Sequence, residues 1–189
     1  MPTVDPISHR LFEQAWPEGE YRLFQLGFVV DDLIAAADRW ARVFGVGPFH
    51  VMPRVNSSCR YRGADCSVDI HIAVAQAGPV QIELIRDYTD GPNVFRDVHG
   101  LHQLSTLTRD YDGKKAHYTR LGYQPVCEFT SPGHRVAFYD TIDDFGFFTE
   151  VVEEKASFQA NLAAIARTCA DWDGTDPIRI LTRDGYSTP

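Results

Sequence analysis

Basic residues are in short supply. The chain has 18 Lys and Arg against 26 Asp and Glu in 189 residues, a formal net charge of −8. That balance argues against nucleic acid and anionic membranes as partners, although a local basic pocket is compatible with it. Cysteine is scarce and scattered. Cys59, Cys66, Cys127 and Cys169 form no CxxC pair, which argues against a thiolate zinc site. No apolar run approaches the length of a membrane span, and Met1 to Arg10 lacks the basic-then-apolar layout of a signal peptide. The expectation is a cytoplasmic protein with free thiols, Cys127 serving as a small core residue. Three catalytic motifs are also missing: a Gly-rich phosphate loop, a GxSxG elbow and an HExxH pair.

What is present is apolar and aromatic material, 44% and 12% of the chain, enough for a packed core. One short pattern occurs twice. Leu23-Phe24-Gln25-Leu26 opens an apolar run ending at Asp31-Asp32, and Leu101-His102-Gln103-Leu104 opens another ending at Arg109-Asp110. A helix-like stretch and a Gly follow each, Ala35 to Gly45 and Lys114 to Gly122. Each half then closes on a strand carrying an acid, Glu83 in Val80-Gln81-Ile82-Glu83-Leu84 and Glu150 in Phe147-Phe148-Thr149-Glu150-Val151. Gln25, Glu83, Gln103 and Glu150 thus hold matching places in two tandem units, which a duplicated fold arranges about a pseudo-twofold axis.

The pattern along the chain predicts an α+β fold. An N-terminal arm (1–21) precedes a first βαβββ module (22–87), a connector (88–100) and a second βαβββ module (101–153). A C-terminal helix and tail (154–189) complete the chain. In the first module, strands are expected over 22–30, 49–52, 66–76 and 80–87, and Asn56 to Ala64 reads as a loop. Leu33, Ala36, Ala37, Trp40, Val43 and Phe44 recur at helical spacing and read as a core-facing stripe. Phe158, Leu162, Ile165 and Ala166 predict a helix that covers the sheet or meets a second subunit. Residues beyond Gly174 read as a polar coda with an apolar patch, Ile178 to Leu181.

Tandem βαβββ units with an acid on each closing strand resemble the vicinal oxygen chelate superfamily. That superfamily includes glyoxalase I, methylmalonyl-CoA epimerase, extradiol dioxygenases and bleomycin-resistance proteins. Gln25-Leu26-Gly27-Phe28-Val29-Val30-Asp31-Asp32-Leu33, Gly45-Val46-Gly47-Pro48-Phe49, Gln81-Ile82-Glu83-Leu84-Ile85 and Gly100-Leu101-His102 carry the resemblance, over roughly residues 22–153. It implies a curved, cavity-enclosing mixed sheet and a homodimer. It also implies ligand places on the first and last strand of each unit, here Gln25, Glu83, Gln103 and Glu150. Relatives usually carry His at one or both first-strand places. In this chain the pair reads His102-Gln103, and simple alternation turns His102 to the opposite face.

Two carboxylates and two amide carbonyls are an all-oxygen set, suited to Mg²⁺, Mn²⁺ or Ca²⁺ better than to Zn²⁺ or Fe²⁺. Mg, Mn, Co and Zn are the metals to test. The alternative is that the four residues line a cavity without metal. Either way, Glu83 and Glu150 are the candidate acid and base. Gln25 and Gln103 are positioning residues. Gln81, His71 and Tyr139 are further candidate substrate contacts, with a structural role open for His71 and Tyr139. The functional expectation is an isomerase, epimerase or lyase acting on a small carbonyl or acyl substrate, a CoA thioester included. The alternative is a sequestering small-molecule binder, with a metal-dependent dioxygenase less favoured.

Overall fold

A computed structural model describes residues 22–131, 133–182 and 185–189. The expected N-terminal arm over 1–21, including the short helix or arm at Pro6 to Glu13, lies outside the described residues.

The first unit runs β1 (Arg22–Val29), α1 (Leu33–Phe44), β2 (Phe49–Val51), β3 (Val55–Tyr61), β4 (Ala64–Ala77) and β5 (Val80–Asp87). The second runs β6 (Gly100–Thr108), α2 (Tyr111–Arg120), β7 (Pro125–Ser131), β8 (His134–Tyr139), the single turn α3 (Ile142–Phe145) and β9 (Phe148–Glu153). After them come α4 (Ala156–Ala170), β10 (Ile178–Thr182) and β11 (Gly185–Ser187). Both long helices of the repeat begin on the aspartate that ends the preceding strand. Asp32 accepts a hydrogen bond from Ala35 N at 3.0 Å, and Asp110 accepts from Gly113 N at 2.9 Å. Each carboxylate satisfies a donor that the first helical turn leaves free.

The strands close on themselves. In the order β4-β3-β7-β8-β9-β6-β1-β5, the last strand pairs back with the first. Within each unit the first and last strands are parallel neighbours, β1 with β5 and β6 with β9. Two antiparallel seams, β1–β6 and β3–β7, join the units. One chain therefore completes a barrel whose interior both units share. β10 extends the sheet by pairing in parallel with β2, which itself pairs with β4.

Several expectations are corrected. Val55–Tyr61 is strand β3, not a loop. Its exposed members Asn56, Ser58 and Arg60 alternate with more buried ones, and that polar face hid the strand signal. The apolar patch at Ile178 is strand β10, not a coda. Val43 and Phe44 are 64% and 65% exposed, because α1 buries Leu33, Ala37 and Ala41 instead. Glu153 is buried and ion-paired with Arg135 and Lys155. Cys59 and Cys66, expected free, lie opposite each other in the β3–β4 hairpin with Cα atoms 5.2 Å apart and form a disulfide. Hairpin register brought them together, and sequence spacing does not reveal register. Cys127 and Cys169 are free, and Cys127 is fully buried as expected. No helix among the described residues is long and apolar enough to cross a membrane.

Candidate active site

The barrel encloses a cavity of about 160 Å³. From the first unit it is lined by Gln25 on β1, Ile70, Ile72 and Val74 on β4, and Gln81 and Glu83 on β5. The second unit contributes Gln103, Val136, Phe138 and Glu150. α4 lies across it and adds Phe158, Asn161 and Leu162 to the wall. Phe158 packs edge-on against Phe24 and lies over His134, with ring centroids 5.9 and 4.5 Å apart. The four residues at matching places in the repeat therefore do converge.

The repeated tetrapeptide has a structural meaning that alternation alone misses. Along the β1–β6 seam, Leu23 pairs with Thr106 and Gln25 with Ser105, so Phe24 is an extra residue on β1. Farther along, Gly27 pairs with Gln103 and Phe28 with Leu101, so His102 is an extra residue on β6. Each unit thus places a β-bulge at the residue before its glutamine. A bulge re-aims side chains that would otherwise alternate. Phe24 and Gln25 both line the cavity. His102, expected to point outward, is instead buried among the rings of Phe95, Phe138 and Phe148.

The two acids are held differently. Gln103 reaches across β1 at Gly27 and meets Glu83 on β5, Nε2 to Oε2 at 3.0 Å. A Cβ at position 27 would overlap the Gln103 amide, so only glycine leaves the path open. The matching place in the second unit is Ser105, which sits between Gln25 and Glu150 in the register. Its hydroxyl donates directly to Glu150 Oε2. Burial raises both carboxyls, Glu83 well above the usual range and Glu150 to about 7. The charge of Glu150 adds to the rise at Glu83, while the Ser105 hydroxyl restrains the rise at Glu150. The Ser105 hydroxyl favours the ionised form of Glu150, Glu83 is held toward its protonated form by burial and by the Glu150 charge, and the two titrate as a unit.

Gln103 also contacts His102 Nδ1 through its other amide atom, and His102 Nε2 meets the Val94 carbonyl at 2.8 Å. With the amide oxygen toward His102, both ring nitrogens must carry protons, making an imidazolium. Burial opposes that charge and lowers His102. A half-turn of the amide removes the conflict. Its nitrogen then donates to Nδ1 of a neutral His102, and its oxygen accepts the acid proton of Glu83. In either orientation both ends of Gln103 are occupied.

That occupancy decides the fit of a metal. One oxygen of each carboxyl is already hydrogen-bonded, both ends of the Gln103 amide are occupied, and no imidazole replaces it as a ligand. Among the described residues no three His, Cys, Asp or Glu gather in a metal-binding group. The donor set as arranged does not fit the divalent metal implied by the resemblance.

Two candidate contacts fall outside the cavity. His71 shares its face of β4 with Asp69, and the cavity-lining residues of that strand are Ile70, Ile72 and Val74. Asp69 is engaged by Arg54, through Nη2 at 2.6 Å. Tyr139 is fully buried and stacked on Tyr118 of α2, ring centroids 4.5 Å apart, while Val136 and Phe138 of β8 line the cavity. In both cases the choice of inward face was set by barrel closure. Sequence reasoning missed Gly27, Ser105 and the α4 contacts. Gly27 stood inside the stretch that carries the resemblance, and a glycine in the middle of an otherwise apolar strand was the available signal.

The superfamily described as Glyoxalase/Bleomycin resistance protein/Dioxygenase has a family model that matches residues 24–138, and the chain belongs to that superfamily. None of the curated proteins compared matches it. Among solved structures, the methylmalonyl-CoA epimerase of Mycobacterium tuberculosis is 17% identical, with 79% of this chain and 99% of that one covered and a TM-score of 0.54. A methylmalonyl-CoA epimerase in complex with methylmalonyl-CoA and NH4+ is 20% identical, with 72% and 96% covered and a TM-score of 0.50. A Streptomyces coelicolor methylmalonyl-CoA epimerase variant bound to 2-nitronate-propionyl-CoA is 20% identical, with 72% and 99% covered and a TM-score of 0.50. At these identities the likeness is one of fold.

Proposed function

We propose that this chain is an isomerase, epimerase or lyase that moves a proton at a carbon beside a carbonyl. The observation that supports this most is the pair of acids, half-buried Glu83 and buried Glu150, facing one largely apolar cavity from different strands. Ionised Glu150 takes the proton from the carbon, and the electron pair moves toward the carbonyl oxygen. Protonated Glu83, backed by Gln103, donates to that oxygen or returns a proton to the carbon from its own side. In the epimerase form the proton ends on Glu150 and is lost from Glu83, so exchange with water must reset the pair. The apolar walls keep the carboxyls high enough to act near neutral pH, where general acid–base catalysis contributes about 10²–10⁴-fold. No step passes through a metal.

Deuterium exchange tests the reading. Small ketones and thioesters in D2O, followed by proton NMR, are expected to lose their α-proton signal faster with the protein than without it, and Glu150→Gln is expected to remove the difference. If no candidate carbonyl exchanges, the reading fails. The apolar lining supports a second reading, a sequestering binder. It predicts saturable binding of the same compounds with no exchange.

A further inference from the structure

We infer that the cavity selects a compact, uncharged ligand bearing a paired donor and acceptor, such as a carboxamide, and that Gln81 is the residue that reads that group. This rests on the cavity's role in the proposed reaction and names its substrate class.

Gln81 lines the cavity and is 2% exposed, yet neither its amide nitrogen nor its amide oxygen has a hydrogen-bond partner among the described residues. Buried amides are ordinarily satisfied, and one left open on both atoms marks a place for an outside partner. The other polar groups here are largely engaged within the protein. Glu83 is held by Gln103, and Glu150 by Ser105. Among the described residues, the buried lining amide left open on both atoms is that of Gln81, a neutral donor–acceptor pair. Gln81 lies two residues before Glu83 on β5, about 7 Å along the same inward face. A group docked on Gln81 extends the rest of the ligand toward the acids.

Charge narrows the class. The described lining residues include Glu83, Glu150 and His134 but neither Lys nor Arg. Burial lowers His134, which leaves it neutral. A ligand carboxylate would meet two glutamates with no counter-ion, and a buried unpaired charge is strongly disfavoured. A free carboxylate such as that of methylmalonyl-CoA, which one structural neighbour binds, finds no cation here. Size narrows it further. A cavity of about 150 Å³ lined by aliphatic and aromatic side chains holds one benzene. The present one, about 160 Å³ and covered by Phe158 and Leu162 of α4, is on the scale of one ring with a short polar arm.

Three probes of matched shape test this by titration calorimetry near pH 7.5: phenylacetamide, phenylacetate and phenethylamine. Phenylacetamide is expected to bind, with the anion and the cation each at least tenfold weaker. Gln81→Leu keeps the bulk and removes both polar atoms. It is expected to weaken phenylacetamide at least tenfold and to leave propylbenzene binding unchanged, which also shows that the variant keeps its cavity. The inference is overturned if phenylacetate or phenethylamine binds as well as the amide. It is overturned equally if Gln81→Leu leaves the amide unaffected, or if no probe, propylbenzene included, binds. Binding needs no turnover. A protein that binds the amide but exchanges no α-proton keeps this inference and loses the proton-transfer reading.

Discussion

Set side by side, the two half-sites share one plan and differ at the bulge residue, Phe24 or His102, and at one small residue. In one, Gly27 lets Gln103 cross the seam to Glu83; in the other, Ser105 occupies the matching place and itself donates to Glu150. The acids come from matching strands, Glu150 buried and Glu83 half-buried. The difference of one hydroxymethyl group gives them different partners: an amide backed by His102 for Glu83, a hydroxyl for Glu150. A symmetric pair would share its proton evenly. This pair has unequal partners, and the proposed reaction uses that inequality, with Glu150 as base and Glu83 as acid.

The largest test of that comparison removes each acid in turn. Glu150→Gln deletes the base and is expected to lower α-proton exchange by about 10²–10⁴-fold. Glu83→Gln mimics the protonated acid and is expected to cost less in a one-base reaction, and as much as Glu150→Gln in a two-base epimerisation. The exchange rates of the two variants on one substrate separate these cases.

Stability against pH reads the same pair without a substrate. Glu150 is raised from 4.5 to about 7 by folding, so between those values the folded chain holds more protons than the unfolded one. Stability therefore falls as pH rises through that window, by on the order of 3 kcal/mol from this group. Glu83, also raised well above the usual carboxylate range, adds to the decline. Urea midpoints across pH 4–8 are expected to show the fall in the parent chain and a flatter line in Glu150→Gln. A flat parent line removes the buried-acid argument.

Gly27→Ala attacks the other half. The new methyl displaces the Gln103 amide and leaves Glu83 without its partner, at a cost of about 1–3 kcal/mol in unfolding free energy. Ser105→Ala is the mildest change. It removes the donor that restrains Glu150, so the exchange–pH midpoint is expected to move upward from about 7, with the plateau rate little changed. A midpoint that moves downward reverses the assigned role of Ser105. Incubation with Mg²⁺, Mn²⁺, Co²⁺ or Zn²⁺ is expected to leave the melting temperature unchanged, because both carboxylates and Gln103 are already engaged.

Much of this was legible in the chain. The Leu-x-Gln-Leu repeat, the capping aspartates and the two closing acids marked a duplicated fold and four converging residues, because strand and helix periods are local properties. The places of His102, His71 and Tyr139 were not legible, for a different reason. Alternation says which residues share a face, but not which face turns inward, and a bulge shifts the alternation itself. The Cys59–Cys66 pairing and strand β3 were hidden for a related reason: both depend on which strand lies alongside.

By itself, then, the sequence determined the two units, their order and the acids they carry, since each follows from short-range patterning. Tertiary structure alone decided that Gln103 reaches Glu83 over Gly27, that Ser105 holds Glu150, and that α4 covers the cavity. Those contacts join residues distant in the chain, and only closure of the barrel brings them within hydrogen-bonding reach.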